Sequence, residues 1–214
     1  MLDNSRVPFS PGKVVCIGRN YSAHIAELEN ETPSEPVIFL KPSTALSDLR
    51  EPIVIPESLG ACHHEVELAV VIGQQLSRST EAEVSSAIFG YAVALDLTLR
   101  DLQSELKKKG LPWERAKAFD GSCPVSPVIS RDQLSEPAHT DLQLTVNGKV
   151  RQSGNTDLMI WKIEPLIAHI STFFTLLPGD LILTGTPAGV GPLNSGDQLI
   201  VELNSQLQIK TRVS

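Results

Sequence analysis

The chain has 214 residues, of which 41% are hydrophobic and 20% are charged, and this composition is typical of one compact domain with a sizeable core. Its formal net charge of −7 argues against general binding to nucleic acid or to anionic membranes, because both use a basic surface. We expect neither a secretory signal nor a membrane-spanning segment, and three widely separated cysteines predict reduced thiols in a cytoplasmic protein.

Proline and glycine punctuate the beginning of the chain. Residues 1–12, which include Pro11 and Gly12, predict a loose arm, and residues 13–214 are expected to form a single catalytic domain. The first strand is predicted at residues 13–18.

A short helix is predicted after this strand. Gly18-Arg19-Asn20-Tyr21 precedes it, Asn20 is a suitable N-cap, and the helix is expected to reach about residue 29. His24 and Glu27 are three positions apart and therefore share one side. A carboxylate beside an imidazole orients the ring and raises its basicity, which suits a general base. The alternative is an ordinary surface pair.

The polar tract at residues 30–36 leads into an apolar strand at 37–40, and Lys41 follows it directly. A lysine in this place either extends its ammonium group into solvent at the strand end or faces a site. A shorter strand is predicted at residues 53–55, between two prolines.

The strand predicted at residues 63–73 is unusual, because its first half is acidic and its second half is apolar. Side chains alternate between the faces of a strand, so Glu65 and Glu67 share a face with Ala69 and Val71. That face leads into the core, where unpaired carboxylates are costly. The two glutamates therefore require a cation, unless both are solvated at a surface.

Asp96 supplies a third carboxylate from the predicted strand at 91–99, on the face where small alanines leave room. Residues i and i+2 of a strand lie about 6.6 Å apart, so Glu65 and Glu67 can approach one ion from two sides while Asp96 approaches from a neighbouring segment. Three hard oxygen ligands favour Mg2+, Mn2+ or Ca2+ over zinc. The alternative is that Asp96 caps the next helix.

Two helices flank the strand of Asp96. Thr80 and Glu83 have the capping-box spacing and predict a helix that ends near Gly90. The second helix is predicted from Thr98 to about residue 109, before a glycine that favours a helix end.

The second helix carries two polar groups just beyond Asp96. Arg100 and Gln103 share one side of the helix and are predicted to contact a ligand at the carboxylates; the alternative for Arg100 is an ion pair with an acid of the same helix. The lysines at 107–109 are interpreted as structural, because cations complement the carbonyl end of a helix.

The later segments are interpreted as scaffold, with one exception. Asn147-Gly148 between two apolar runs predicts a hairpin. The other predicted elements are strands at 142–146, 149–152, 198–203 and 207–213 and a partly helical segment at 163–177. The exception is residues 181–192, a strand that runs into a glycine-rich turn but lacks the lysine and the following helix of a phosphate-binding loop. Together, the many short strands and few short helices predict a β-rich α+β fold.

Three of these motifs resemble the metal centre of the fumarylacetoacetate hydrolase family, specifically its small single-domain acylpyruvate hydrolase branch. They are His63-His64-Glu65-Val66-Glu67, Leu95-Asp96 and Arg100-Asp101-Leu102-Gln103. The resemblance extends from about Gly12 to the C-terminus. It implies a mixed β-sandwich roll, usually a homodimer, in which Glu65, Glu67 and Asp96 hold Mg2+ or Mn2+.

The same resemblance implies roles for residues outside the metal centre. The segment from Gly18 to Glu27 is similar to a mobile helix that brings a His–Glu dyad over the metal to activate water. The implied catalytic residues are His24, Glu27 and Lys117, and the implied substrate-binding residues are Arg19, Asn20, Lys41, Arg100, Gln103 and Thr186. The cations among them would bind a small anionic 2-oxo acid.

The chemistry follows from the ion, which can stabilise an enolate formed from a chelated 2-oxo acid. Hydrolysis of an acylpyruvate, decarboxylation of oxaloacetate and keto–enol tautomerisation all form such an enolate, and only hydrolysis needs a base that activates water. The His24–Glu27 pair therefore favours a metal-dependent hydrolase that cleaves the C–C bond of acylpyruvate-type 2,4-dioxo acids. The alternative is an oxaloacetate tautomerase or decarboxylase, or a 2-hydroxyhepta-2,4-diene-1,7-dioate isomerase. A non-catalytic protein that binds a metal or a dicarboxylate is a further alternative.

Overall fold

The computed structural model describes residues 7–28, 31–56, 58–204 and 206–214. Residues 1–6 of the predicted arm lie outside these ranges. Residues 29 and 30, where the first helix was expected to end and the polar tract to begin, also lie outside them.

Short strands dominate the described residues. The strands are β1 (Val14–Gly18), β2 (Val37–Lys41), β3 (Leu46–Asp48), β4 (Cys62–His64), β5 (Val66–Ile72), β6 (Ile88–Leu95), β7 (Thr98–Leu99), β8 (Cys123–Val125), β9 (Ile129–Ser130), β10 (Asp141–Val146), β11 (Lys149–Asn155), β12 (Leu181–Leu183), β13 (Gly191–Pro192), β14 (Gln198–Leu203) and β15 (Leu207–Arg212). The α-helices are α1 (Ser22–Glu27), α2 (Glu81–Ala87), α3 (Arg100–Lys108), α4 (Glu114–Lys117) and α5 (Ile163–Phe173).

The strands form three sheets. The largest has the order β2-β1-β12-β5-β6-β8-β3, with β9 also paired to β6, and it is mixed because β1 pairs with β12, and β3 with β8, in parallel. A four-stranded antiparallel sheet has the order β11-β10-β14-β15, and a small sheet has the order β13-β4-β7. This architecture confirms the predicted β-rich α+β fold.

β5 lies at the centre of the large sheet, between β12 and β6, and all seven of its residues are buried. Leu68 and Val70 face the main core, which also contains Leu144 of β10 and Val201 of β14. Ala69 packs in a second apolar cluster on the opposite face. The alternation predicted for this strand is therefore present, and both of its faces are covered.

Two local predictions are confirmed by backbone geometry. β10 and β11 form the expected hairpin, with φ of +51° at Asn147 and +74° at Gly148, which is the pair of positive angles that the tightest hairpin turns require. The Thr80–Glu83 capping box is present at the start of α2.

Several predicted boundaries are wrong. The strand expected at residues 63–73 is interrupted at Glu65, and the strand expected at 91–99 ends at Leu95. The strand expected at residues 53–55 is only a single bridge between Ile53 and Val213. Helix α2 ends at Ala87, because the chain enters β6 at once. Thr98 lies in β7 rather than at a helix start, because it pairs with β4.

Candidate active site

Three carboxylates meet at one end of the central strands. Glu65 lies between β4 and β5, Glu67 lies within β5 and Asp96 directly follows β6, and one oxygen from each lies within 4.8 Å of the others. The Asp96 amide donates to the Glu65 carbonyl at 2.8 Å and fixes the two segments together. The exposed fractions of the three residues are 5%, 1% and 1%, so the alternative of solvated glutamates is wrong.

Three cations surround this carboxylate triad. Lys117 Nζ lies 2.8 Å from Glu65 Oε2 and 2.7 Å from Asp96 Oδ2. Lys41 Nζ lies 2.8 Å from Asp96 Oδ1, and Arg100 contacts Glu65 through Nη2. The alternative of an ion pair between Arg100 and an acid of its own helix is therefore wrong, because Arg100 pairs with Glu65 and also donates to the Gln103 side chain.

The electrostatic surroundings shift the pKa values of Glu65 and Glu67 in opposite directions. Burial raises the pKa of Glu65, but Lys117 and Arg100 outweigh burial and hold this pKa below its ordinary value. Burial, reinforced by Asp96 and Glu65, raises the pKa of Glu67 well above its ordinary value. Burial lowers the pKa of Lys117, but Asp96 and Glu65 more than compensate and raise it. Glu67 therefore has a greater deficit of neighbouring positive charge than Glu65.

The donor atoms of the triad and the local charge around them suit a divalent metal ion. All three residues offer hard carboxylate oxygens, which suit Mg2+ or Mn2+. Asp96 Oδ1 forms an ion pair with Lys41 at 2.8 Å, whereas the negative charge of Asp96 and Glu65 raises the pKa of the buried Glu67, so a further cation would stabilise the group. Among the residues that the structure describes, these three are the group of acids, histidines and cysteines that can converge on one ion.

Lys41 is the most deeply buried of the cations, with no exposed surface. Its ammonium group donates to Ser122 Oγ at 3.0 Å and to the Ser122 carbonyl at 3.1 Å. The alternative of a lysine reaching into solvent at the strand end is therefore wrong. The Lys41 side chain therefore stabilises the triad from the protein interior, through its ion pair with Asp96.

His24 and Glu27 lie on α1, with His24 Nδ1 3.3 Å from Glu27 Oε2. The Gly189 amide donates to the Glu27 carboxylate at 3.0 Å, which joins the helix to the glycine-rich turn after β12. His24 is 6% exposed and lines the same cavity as the triad. The imidazole is thus oriented by a carboxylate that the protein itself holds in place.

The prediction that Asn20 caps α1 is wrong, because its side chain points across the fold. Its amide donates to the Thr184 carbonyl at 2.7 Å, and its Oδ1 accepts from the Trp161 amide at 2.7 Å. Tyr21 occupies the N-cap position without a side-chain hydrogen bond. Asn20 therefore fixes the entry to α1 against the end of β12 and does not line the cavity.

The turn after β12 carries Thr186 to the triad. Gly185 has φ of +99°, a conformation that favours glycine, and its amide donates to Glu67 Oε2 at 2.6 Å. Thr186 lines the cavity, and its hydroxyl lies 2.8 Å from the Val66 carbonyl.

Gln152 of β11 supports this turn, and sequence reasoning missed it. Its amide nitrogen donates to Thr186 Oγ1 at 2.7 Å, while its Oε1 accepts from the Val66 amide at 2.9 Å and lies 2.9 Å from His64 Nδ1. Gln152 is fully buried. It comes from an exposed hairpin arm, so its sequence neighbourhood gives no signal of this role.

A cavity opens beside the triad. Among the predicted site residues, Arg19, His24, Arg100, Gln103, Lys117 and Thr186 line it together with the three carboxylates. Phe39, Trp113 and Lys107 also line it and were not predicted. For Lys107 a signal existed, because it lies seven residues after Arg100 on one helix.

No helix in the described part of the chain is long and apolar enough to cross a membrane.

Comparison with known proteins agrees with the geometry of the site. The family model described as fumarylacetoacetate (FAA) hydrolase C-terminal matches residues 13–214. The chain belongs to this family. The fumarylacetoacetate hydrolase fold thus accounts for the three sheets and for the site at their end.

Several known proteins resemble the chain along nearly its whole length. Oxaloacetate tautomerase YcgM from Escherichia coli K12 is 57% identical over 94% of this chain and 92% of its own length. The mitochondrial oxaloacetate tautomerase FAHD1 from Bos taurus is 46% identical over 94% of this chain and 90% of its own. A crystal structure of fumarylpyruvate hydrolase from Pseudomonas aeruginosa, in complex with Mn2+ and pyruvate, matches with a TM-score of 0.93 and 35% identity over 99% of this chain and 93% of its own.

These relatives establish an enzyme family that contains both tautomerases and hydrolases. The preference for acylpyruvate hydrolysis is not confirmed, and the tautomerase alternative has the better support. The Mn2+ complex of the fumarylpyruvate hydrolase, together with the triad, favours divalent metal binding.

Proposed function

We propose that the protein is a divalent-metal-dependent tautomerase that interconverts the enol and keto forms of oxaloacetate or of a closely related 2-oxo dicarboxylic acid. The observation that carries the proposal is the 57% identity to an oxaloacetate tautomerase over 94% of the chain. The arrangement of buried carboxylates, cations and a carboxylate-oriented imidazole around one cavity supports it.

We assign Glu65, Glu67 and Asp96 as the residues that would hold Mg2+ or Mn2+. When bound, such an ion supplies Lewis-acid stabilisation of the negative charge that develops at the 2-oxygen of the substrate. Lys117 and Arg100 keep Glu65 ionised, and the Gly185 amide orients Glu67.

Ketonisation removes one proton from the enol oxygen and adds one proton to C3, so the enzyme needs a proton carrier and no attacking water. His24 is the group we assign to this transfer, because it lines the cavity beside the triad and its Nδ1 faces Glu27. Arg19, Arg100 and Lys117 line the cavity and provide positive charge for the anionic substrate, and Gln103 and Thr186 provide hydrogen-bonding groups. Lys41 does not line the cavity and acts through its ion pair with Asp96. Asn20 then acts by positioning α1.

The test is the decay of enol-oxaloacetate absorbance in the presence of purified protein. We expect acceleration with Mg2+ or Mn2+, loss of acceleration with chelator, and a decrease of about 10²- to 10⁴-fold in His24→Asn, the usual contribution of general acid–base catalysis. Metal affinity, measured by calorimetry, should change little in this variant. Failure to accelerate ketonisation in the presence of either ion would refute the proposal.

Hydrolysis of acylpyruvates is the second candidate, because the His24–Glu27 pair can also activate water and a relative carries the name fumarylpyruvate hydrolase. Cleavage of acetylpyruvate by the same preparation distinguishes the two activities. The homodimer and the cytoplasmic location that the sequence resemblance and composition imply stay predictions, as does the single catalytic domain at residues 13–214.

A further inference from the structure

One face of α3 points into the cavity. Arg100, Gln103 and Lys107 follow the spacing i, i+3, i+7 that places side chains along one stripe of a helix, and all three line the cavity. Lys109 instead pairs with Glu105 at 2.5 Å on the exposed side. Lys107 lies in the last turn of the helix, as the interpretation of the lysine run requires, and it also lines the cavity.

Aromatic side chains hold Lys107 in place. Its ammonium group lies 5.7 Å from the centre of the Trp113 ring, within the range of a cation–π interaction. The Trp113 ring in turn packs against Phe39, with centroids 5.8 Å apart. This contact restricts a flexible lysine side chain to the cavity wall.

Positive charge accumulates at this wall. Burial lowers the pKa of Lys107, and Arg19 and Arg100 lower it further, because three cations share a small region. Among the residues that line the cavity, the four cations Arg19, Arg100, Lys107 and Lys117 exceed the three carboxylates in number. A divalent ion at the triad increases this excess, so the cavity matches a ligand with more than one negative charge.

We propose that Lys107 binds the distal carboxylate of a dicarboxylic 2-oxo acid and so selects dicarboxylic over monocarboxylic substrates. The inference rests on the proposed function for the orientation of the substrate, whose 2-oxo end faces the triad. The distal end then lies along the α3 face, where Lys107 follows Arg100 and Gln103. A charge-assisted hydrogen bond at a partly exposed position contributes about tenfold in affinity.

The test uses malate and lactate, two inert 2-hydroxy acids that differ by the distal carboxylate. Calorimetry with Mg2+-loaded protein gives the ratio of the two affinities for wild type, Lys107→Met, Lys107→Arg and Lys108→Met. Lys108→Met is the matched control, because it removes the same charge from the same helix without touching the cavity. Lys107 is solvent-exposed in part, so the variant should fold, and its melting temperature checks this.

We expect wild type to prefer malate and the preference to fall about tenfold in Lys107→Met, with Lys107→Arg retaining most of it. The inference is overturned by a fall of less than about threefold relative to Lys108→Met, or by equal weakening of both ligands. Kinetics provide a second measurement. In Lys107→Met, the factor by which KM for enol-oxaloacetate rises should be about ten times the factor by which kcat falls. Because the malate and lactate titrations need no turnover, they test Lys107 even where wild type fails to ketonise enol-oxaloacetate.

Discussion

Replacing Lys117 with methionine should destabilise the protein strongly in the absence of metal and make it dependent on a divalent ion. Lys117 Nζ contacts Glu65 and Asp96 at 2.8 and 2.7 Å, and its side chain is 3% exposed. Removing one partner of a buried ion pair costs about 3–5 kcal/mol, because the other charge stays buried. In a domain of this size, each kcal/mol lowers Tm by about 2–4 °C, which predicts a decrease of roughly 10 °C.

Divalent metal should reverse much of this loss. An ion that binds the folded protein stabilises it by RT ln(1 + [L]/Kd), and in Lys117→Met it also replaces the missing positive charge beside the same carboxylates. Scanning calorimetry of both proteins, in chelator and in Mg2+, therefore should give a larger metal-induced rise in Tm for the variant.

The control is Lys109→Met, which removes an exposed pair with Glu105, both side chains being more than half exposed. Such pairs contribute about 0–1 kcal/mol, so Tm should change by no more than about 4 °C. If Lys117→Met melts like this control in chelator, or if Mg2+ stabilises wild type but not the variant, the electrostatic argument is refuted.

Three further outcomes can be measured. Gln152→Leu removes the side-chain hydrogen bonds of four buried groups, namely the Val66 amide, the Thr186 hydroxyl, the Pro187 carbonyl and His64 Nδ1, and should cost about 2–4 kcal/mol in urea unfolding; a cost below about 1 kcal/mol would contradict its bridging role. Gly185→Ala places a Cβ 2.7 Å from Asn20 Cβ at a φ of +99°, and calorimetry should detect weaker metal binding because the amide that orients the triad moves. Burial raises the pKa of Cys62 to about 11 and of Cys123 to about 12, so neither thiol should react with iodoacetamide at pH 8 until the protein is unfolded, as mass spectrometry can show.

The sequence predicts the centre of the site better than its surroundings. Alternation along one strand places Glu65 and Glu67 beside core residues, and the short distance to Asp96 follows from pairing of two adjacent strands. These are local properties that the side-chain period of a strand determines.

The supporting residues depend on contacts between distant segments. Gln152 reaches the site only because the β10–β11 hairpin packs beside β5, a relation that no spacing in the sequence records. Residues 53–55 looked like a strand because they are apolar, but the flanking prolines remove hydrogen-bond donors from the backbone. A strand that was not predicted, β3, pairs with β8, although its sequence Leu46-Ser47-Asp48 gives little indication of a strand.

The triad is carried by β5 and the end of β6, whereas Lys107 and Trp113 come from the region of α3 and α4. The strands that carry the triad lie in the densely packed centre of the molecule, where few replacements are tolerated. Arg100 and Lys117 come from the same two helices and contact the triad directly, whereas Lys107 and Trp113 lie farther out on the cavity wall and can be exchanged with less effect on that centre. With Lys107 as the selecting residue that we propose, selectivity can evolve separately from reactivity, through changes at the C-terminal end of one helix face.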